Sequence, residues 1–268
     1  VTAERQVVSI GQGRMVVWSW GAGEPVVCLH PLALSGAMWQ PLATALGASF
    51  RVLAPDLRGH GRTSWDRGPF DVEDLARDVA EALDALSLGS VHLLGMSLGG
   101  GVAMTFAGRW PDRVRSLTLA DTTAWYGEHA VAAWTARANQ AVAVPREQQV
   151  TFQLDRWFSE AFRADRPDQV RRVVDIFVGT DSEAHAAACH ALGDLDARRL
   201  LPAITARTLV LVGEEDYATP PAMAQELADT IPNASLLVLP ALRHLSLVER
   251  PELASVIRAH LTAQEVRR

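Results

Sequence analysis

The chain has 268 residues, 49% of them hydrophobic, and a formal net charge of −6 in which all 25 basic residues are arginine. That length and apolar content bury a sizeable core without staples, and two cysteines, Cys28 and Cys189, make no disulfide framework. The acidic balance argues against nucleic acid as a partner, and the absence of lysine excludes Schiff-base chemistry, a lysine general base and a phosphate-loop lysine.

Residues 1–15 carry Glu4, Arg5 and Arg14 and no apolar run, so no secretory signal is expected there. Strands over 7–10 and 15–19 are expected as a leading antiparallel pair. A strand at 26–29, a helix at 36–46 and a strand at 52–55 follow, and Cys28 falls inside the first of these as a small core residue. Leu75, Val79, Leu83 and Leu86 share one face of a helix predicted over 72–86. The longest mainly apolar stretch, 91–108, is broken by His92, Ser97 and a cluster of glycines. It reads as strand, turn and buried helix, not as a membrane span, and a cytoplasmic protein without a membrane partner is expected. A strand at 114–120 continues the alternation, which specifies an α/β class with a mostly parallel, doubly wound sheet.

From 122 to 200 the strand rhythm stops, in a stretch rich in Ala, Arg, Gln and Trp with helical periodicity and too long for a loop. A helical lid at 122–200, inserted into a core made of 1–121 and 201–268, is the expected organisation. The core resumes with a buried strand at 209–213, a helix opened by Pro220 and Pro221, a strand at 236–239 and then Arg243-His244-Leu245.

Chemistry concentrates at the ends of these strands. Gly95-Met96-Ser97-Leu98-Gly99 is a G-x-S-x-G run between a strand and a helix, the setting in which a serine hydroxyl projects from a sharp turn as a nucleophile. Asp216 stands just beyond the strand at 209–213 and His244 just beyond the strand at 236–239. In open parallel sheets functional groups gather at these carboxyl ends. The nucleophile needs all three: His244 would take the serine proton, and Asp216 would hold the imidazole tautomer and stabilise the imidazolium. Asp121, at the end of the strand 114–120, and Glu214 and Glu215 are rival acids; Asp121 also fits a turn or capping carboxylate. His60, His92, His185 and His190 have no metal-site spacing and are expected to be structural or exposed, so no metal and no cofactor is expected.

Asp56-Leu57-Arg58-Gly59-His60-Gly61-Arg62-Thr63 is similar to the D-x-R-G-x-G-x-S turn of α/β-hydrolases, with Thr63 where serine is usual. Together with the serine elbow and the order Ser97, Asp216, His244, the chain as far as Pro251-Glu252-Leu253 resembles that superfamily, which implies the α/β-hydrolase fold. Many members show H-G-x-P-x-S followed by Trp; here His30-Pro31-Leu32-Ala33-Leu34-Ser35 and Trp39 hold those places, with Pro31 for glycine and Ala33 for proline. The match implies an oxyanion hole made by the N–H groups of Leu32 and Leu98, to which Pro31, having no N–H, cannot add. Within the superfamily the chain resembles 3-oxoadipate enol-lactonases, on Ala191-Leu192-Gly193-Asp194-Leu195-Asp196, Leu201-Pro202-Ala203-Ile204, Asp216-Tyr217-Ala218-Thr219-Pro220-Pro221 and His244-Leu245-Ser246-Leu247-Val248-Glu249.

The resemblance implies a serine hydrolase that cleaves a small lactone or carboxylic ester through an acyl-enzyme. Carbon–carbon bond hydrolysis, perhydrolysis of the non-haem haloperoxidase kind, and a ligand receptor that keeps the triad remain alternatives. Epoxide hydrolysis and dehalogenation are disfavoured, because those relatives place aspartate where this chain has Ser97. An enol-lactone of this kind carries a carboxylate, for which Arg137 near Trp134 and Arg156 beside Trp157 are the candidate partners. Their bland alternative is a solvated arginine and a tryptophan that packs the lid.

Overall fold

The alternating apolar runs form one eight-stranded sheet whose spatial order is that of the chain, except that the fourth strand lies between the second and the third. A computed structural model describes residues 2–263. The strands are β1 (Glu4–Ile10), β2 (Gly13–Trp20), β3 (Glu24–Leu29), β4 (Phe50–Pro55), β5 (Val91–Met96), β6 (Val114–Ala120), β7 (Arg207–Gly213) and β8 (Ala234–Leu239). β2 runs antiparallel to both β1 and β4, and from β4 to β8 every neighbouring pair is parallel. β1 starts earlier than its apolar residues announce: Glu4, Arg5 and Gln6 lie on the sheet's edge, and their pairing with Ser19, Trp18 and Val17 extends the strand through polar sequence.

Outside the segment between β6 and β7, the helices are α1 (Gln40–Leu46), α2 (Val72–Ala85), α3 (Leu98–Arg109), α9 (Pro221–Thr230), α10 (Ser246–Glu249) and α11 (Ala254–Thr262), with α4–α8 between those two strands. The helix expected over 36–46 divides into a 3-10 turn, Gly36–Trp39, and α1. Pro41 has no N–H to give the carbonyl of Ala37, which takes the Gln40 N–H in a tighter turn instead. α2 begins at a reciprocal capping box in which Asp71 and Asp74 each accept the other's backbone N–H. Its Leu75, Val79 and Leu83 are buried, while Leu86 sits one step past the last turn.

From β3 the chain turns one way to β4 and later crosses back to β5 on the other side. Right-handed crossovers in opposite directions put α1 on one face and α2 and α3 on the other. The carboxyl ends of β3 and β5 therefore face each other across the switch point where such sheets bind ligands. Register makes the placement sharp: Leu29, the last residue of β3, pairs with Gly95, two residues before Ser97.

Between β6 and β7 the chain leaves the sheet for α4 (Ala130–Ala143), α5 (Arg146–Trp157), α6 (Glu160–Asp165), α7 (Pro167–Val178) and α8 (Ser182–Gly193). An antiparallel bridge between Trp125 and Asp196, with the Ala197 N–H on the Ala124 carbonyl at 2.9 Å, ties the two ends of this excursion together. Among the described residues no helix is long and apolar enough to cross a membrane.

Candidate active site

Ser97 sits between β5 and α3 with φ 54° and ψ −118°, a left-handed backbone that costs a non-glycine residue energy. The neighbourhood holds it there. Its N–H bonds the Ala120 carbonyl at 3.0 Å, and its own carbonyl accepts the Gly100 and Gly101 N–H groups and the Thr122 hydroxyl at 2.8 Å. The motif's two glycines are fixed by space. A Cβ on Gly95 would lie 2.2 Å from the Gly99 carbonyl oxygen, and one on Gly99 would lie 2.2 Å from that of Leu29. Close packing of α3 on β5 and on β3 thus requires both positions bare.

Three sequence-predicted residues meet at the carboxyl edge of the sheet. Ser97 Oγ is 2.9 Å from His244 Nε2, and His244 Nδ1 is 2.8 Å from Asp216 Oδ2. Asp216 faces donors only: the Ala218 and Thr219 N–H groups on Oδ1, and the Thr219 hydroxyl with the imidazole on Oδ2. Burial would raise the carboxyl's pKa, but His244 and these donors outweigh it, and the net shift is downward. An ionised Asp216 places the ring proton on Nδ1 and leaves Nε2 to accept from Ser97. His244 is itself shifted upward, because Asp216 more than offsets the burial of the ring.

The rival acids face elsewhere. Glu215 meets Arg243, and Glu214 accepts the Ala241 N–H. Asp121 is wholly buried and takes the Gly213 N–H on Oδ1 and the Ser246 N–H and hydroxyl on Oδ2. Burial and the nearby Asp216 charge push it up to about 7.

The loop after β3 is fixed by two neutral histidines. The Leu57 N–H donates to His30 Nε2 at 2.9 Å, so the His30 proton lies on Nδ1 and goes to the Pro31 carbonyl at 2.8 Å. The Ala33 N–H likewise donates to His60 Nε2 at 3.1 Å, and His60 Nδ1 donates to the Arg58 carbonyl at 3.0 Å. Burial pulls His30 down to about 3 and His60 to about 4, which keeps both rings as one-donor, one-acceptor connectors. Ala33 takes φ 58° where the family pattern has proline, and its carbonyl is held by the Thr180 hydroxyl at 2.9 Å. Leu32, between these anchors, lines the same cavity as Ser97. Leu98, at the first position of α3, has no preceding turn of its own helix to receive its N–H.

The α4–α8 excursion closes over this edge. Trp134, Arg137, Arg156 and Trp157 all line the cavity above Ser97 and His244. Arg137 lies 5.1 Å from the Trp134 ring and reaches Gln153 Oε1 at 3.4 Å. Arg156 stacks between Phe152 and Tyr217, at 5.1 and 5.0 Å. The carbonyls of Arg156 and Trp157 accept the N–H groups of His244 and Leu245, so the end of α5 supports the loop that carries the imidazole. Tyr126, Gln153, Phe177 and His185 also line the cavity and were not singled out from sequence as site residues. One signal was available: Arg146, Gln149, Gln153 and Trp157 repeat along α5 as its buried face, a largely polar stripe turned inward. His185, expected to be structural or exposed, is buried at 1% exposure and faces the cavity. His60 and His92 are buried structural groups, and His190 is exposed.

A strand-to-helix serine, a buried carboxylate and a histidine, in this order along a doubly wound sheet, define a hydrolase of the α/β class. The chain belongs to the α/β-hydrolase family, whose model matches residues 24–251. It is 33% identical over 227 residues to 3-oxoadipate enol-lactonase 2 of Acinetobacter baylyi, covering 83% of this chain and 82% of that protein. The crystal structure of the enol-lactonase from Burkholderia xenovorans LB400 superposes with a TM-score of 0.91 at 30% identity, over 96% of this chain and 100% of that one. A hydrolase from Pseudomonas aeruginosa PA01 gives a TM-score of 0.90 at 32% identity, over 97% and 99%.

Proposed function

We propose that this protein is a serine hydrolase that opens a small lactone, or cleaves a carboxylic ester, through an acyl-enzyme. The observation that carries the reading is the unbroken hydrogen-bonded chain from Ser97 through His244 to Asp216. Ser97 Oγ attacks the carbonyl carbon while His244 Nε2 takes its proton. The oxyanion faces the Leu32 and Leu98 N–H groups, and the imidazolium is stabilised by Asp216. His244 returns the proton to the leaving oxygen, which in a lactone stays tethered to the acyl chain. Water, activated by the same imidazole, then releases the acid and restores Ser97. The helical segment 122–200 acts as a lid that shapes the small-molecule site, and the enol-lactonase relatives support a substrate with a carboxylate that Arg137 or Arg156 meets.

The test is Ser97→Ala on a panel of a carboxylated enol-lactone, neutral lactones and p-nitrophenyl esters. The variant keeps the wild-type circular dichroism and loses on the order of 10⁴-fold or more in kcat. More than a tenth of wild-type activity remaining on the best substrate, or turnover of a carbon–carbon bond substrate while every ester and lactone stays inert, overturns the reading.

A further inference from the structure

Two buried donors on the wall of the cavity have no protein partner: Arg137 Nε and His185 Nε2. Which His185 nitrogen carries the proton follows from Arg146. That side chain, 8% exposed at the start of α5, gives Nε and Nη2 to the Phe177 carbonyl and Nη1 to His185 Nδ1, and it lies 3.8 Å over the Phe177 ring. A guanidinium only donates, so Nδ1 must accept. Burial, together with the charges of Arg146 and Arg137, holds His185 well below the usual imidazole range, and the ring is neutral with its proton on Nε2. Arg146 does not line the cavity and His185 does. Since Nδ1 and Nε2 diverge across the ring, the edge left to the cavity is the Nε2–H edge.

Arg137, His185 and Gln153 stand together where this cavity adjoins a second hollow walled by Gln140, Val144 and Phe152. No aspartate or glutamate lines either space among the described residues. Burial lowers the Arg137 pKa, the signature of a cation taken from water without a matching anion. A buried donor without an acceptor is costly, and two of them side by side under an uncompensated charge ask for one acceptor-only, anionic group.

We propose that His185 and Arg137 jointly bind a carboxylate of the substrate, with His185 donating through Nε2–H, and that Arg146 is the positioning residue that sets the His185 tautomer. The assignment rests on the hydrolase reading above and deepens it by naming the groups that hold the carboxylate: the unpartnered Nε2–H of His185 and Nε–H of Arg137. It selects Arg137 over Arg156 as the carboxylate's cation. It also gives Arg146, whose own donors go to the protein, a part in specificity without contact with substrate.

The test compares (5-oxotetrahydrofuran-2-yl)acetate with γ-butyrolactone, the same ring with and without the carboxylate arm. In His185→Leu the ratio of kcat/KM for the armed to the bare lactone falls about tenfold or more, chiefly through KM, while His185→Gln, which keeps a donor, restores it to within about threefold of wild type. A ratio unmoved in His185→Leu, or a glutamine variant as poor as the leucine one, overturns the assignment. Should His185→Leu fail to fold, the imidazole ¹⁵N spectrum of the Ser97→Ala protein decides. His185 shows a protonated Nε2 and an unprotonated Nδ1, and (5-oxotetrahydrofuran-2-yl)acetate shifts the Nε2 signal. The opposite tautomer, or an Nε2 signal indifferent to saturating armed lactone, counts against it. Failure of the hydrolase reading looks different: the wild-type protein then opens neither lactone.

Discussion

Asp121 Oδ2 accepts both the backbone N–H of Ser246 at 3.1 Å and its hydroxyl at 2.6 Å, two residues beyond His244. The other oxygen of the same carboxylate takes the Gly213 N–H at 3.0 Å, three residues before Asp216. One buried side chain, on a backbone with φ 47°, thus joins the loop that brings the histidine to the loop that brings the acid. It stands one step back from the imidazole: it touches the supports of Asp216 and His244, while of the two carboxylates Asp216 is the one that hydrogen-bonds the ring.

Replacement separates the two carboxylates. Asp216→Asn leaves the shape intact but allows the wrong imidazole tautomer, and lowers kcat by about 10²–10⁴. Asp121→Asn turns an amide toward groups that are themselves donors, so it costs stability, roughly 1–3 kcal/mol, and less than about tenfold in kcat. Urea denaturation and steady-state kinetics on the same preparations check both. The opposite ranking in kcat would make Asp121 the catalytic acid.

The pH profile follows from the upward shift of His244. The neutral ring is the active base, so kcat/KM rises with pH as the imidazolium loses its proton, with an acid-limb pKa above the ordinary value of about 6.5. Asp216→Asn removes the larger of the two carboxylate charges that raise it and leaves Asp121 against the burial that lowers it, so the limb in that variant moves to lower pH. Initial rates between about pH 5 and 9 on a neutral lactone measure both limbs. An acid limb that stays in place in Asp216→Asn would uncouple the two residues.

Gly99 offers a test of how tightly the elbow is built. A Cβ there meets the carbonyl oxygens of Leu29 at 2.2 Å and His30 at 2.9 Å, and neither can move without shifting β3 or the loop that carries Leu32. Gly99→Ala therefore destabilises the fold by roughly 1–3 kcal/mol, seen as a lower urea midpoint at unchanged slope. Activity falls as well, since the displaced atoms lead into the proposed oxyanion loop. An unchanged midpoint would show that α3 does not need to lie this close to β3.

How far the sequence spoke depended on whether a position's chemistry is local. Ser97 is announced by its own glycines, and Asp216 and His244 by the strand ends and turns beside them, because a sharp turn or a strand terminus leaves a mark within a few residues. Apolar alternation starts β1 only at Val7, because Glu4-Arg5-Gln6 carry none; what makes them strand is their pairing with Ser19, Trp18 and Val17 on β2. The histidines were harder. His30, His60 and His185 each have a tautomer set by a group far along the chain, Leu57, Ala33 and Arg146 respectively, and no spacing rule encodes that. On α5 the inward polar row of Arg146, Gln149 and Gln153 is the one local hint that the excursion covers a polar chamber.

The two arginines weighed from sequence now differ in setting, and substitution separates them. Arg156 lies between Phe152 and Tyr217, residues that are 53% and 51% exposed, so water screens much of its charge. Arg137 is half-buried beside Trp134 and Gln153, with a buried, unpartnered Nε and its pKa lowered by desolvation. A charge-assisted hydrogen bond to a substrate carboxylate is worth roughly 1.5–3 kcal/mol, about ten- to a hundredfold in kcat/KM. Arg137→Met therefore lowers the kcat/KM of a carboxylated lactone relative to a neutral ester by about that factor, whereas Arg156→Met changes the same ratio by less than about threefold. Both variants are read against both substrates, since only the ratio isolates charge from packing. Equal losses on the two substrates at position 137 would assign Arg137 to the support of the lid, and a larger change of ratio at 156 would move the anion toward the mouth of the cavity.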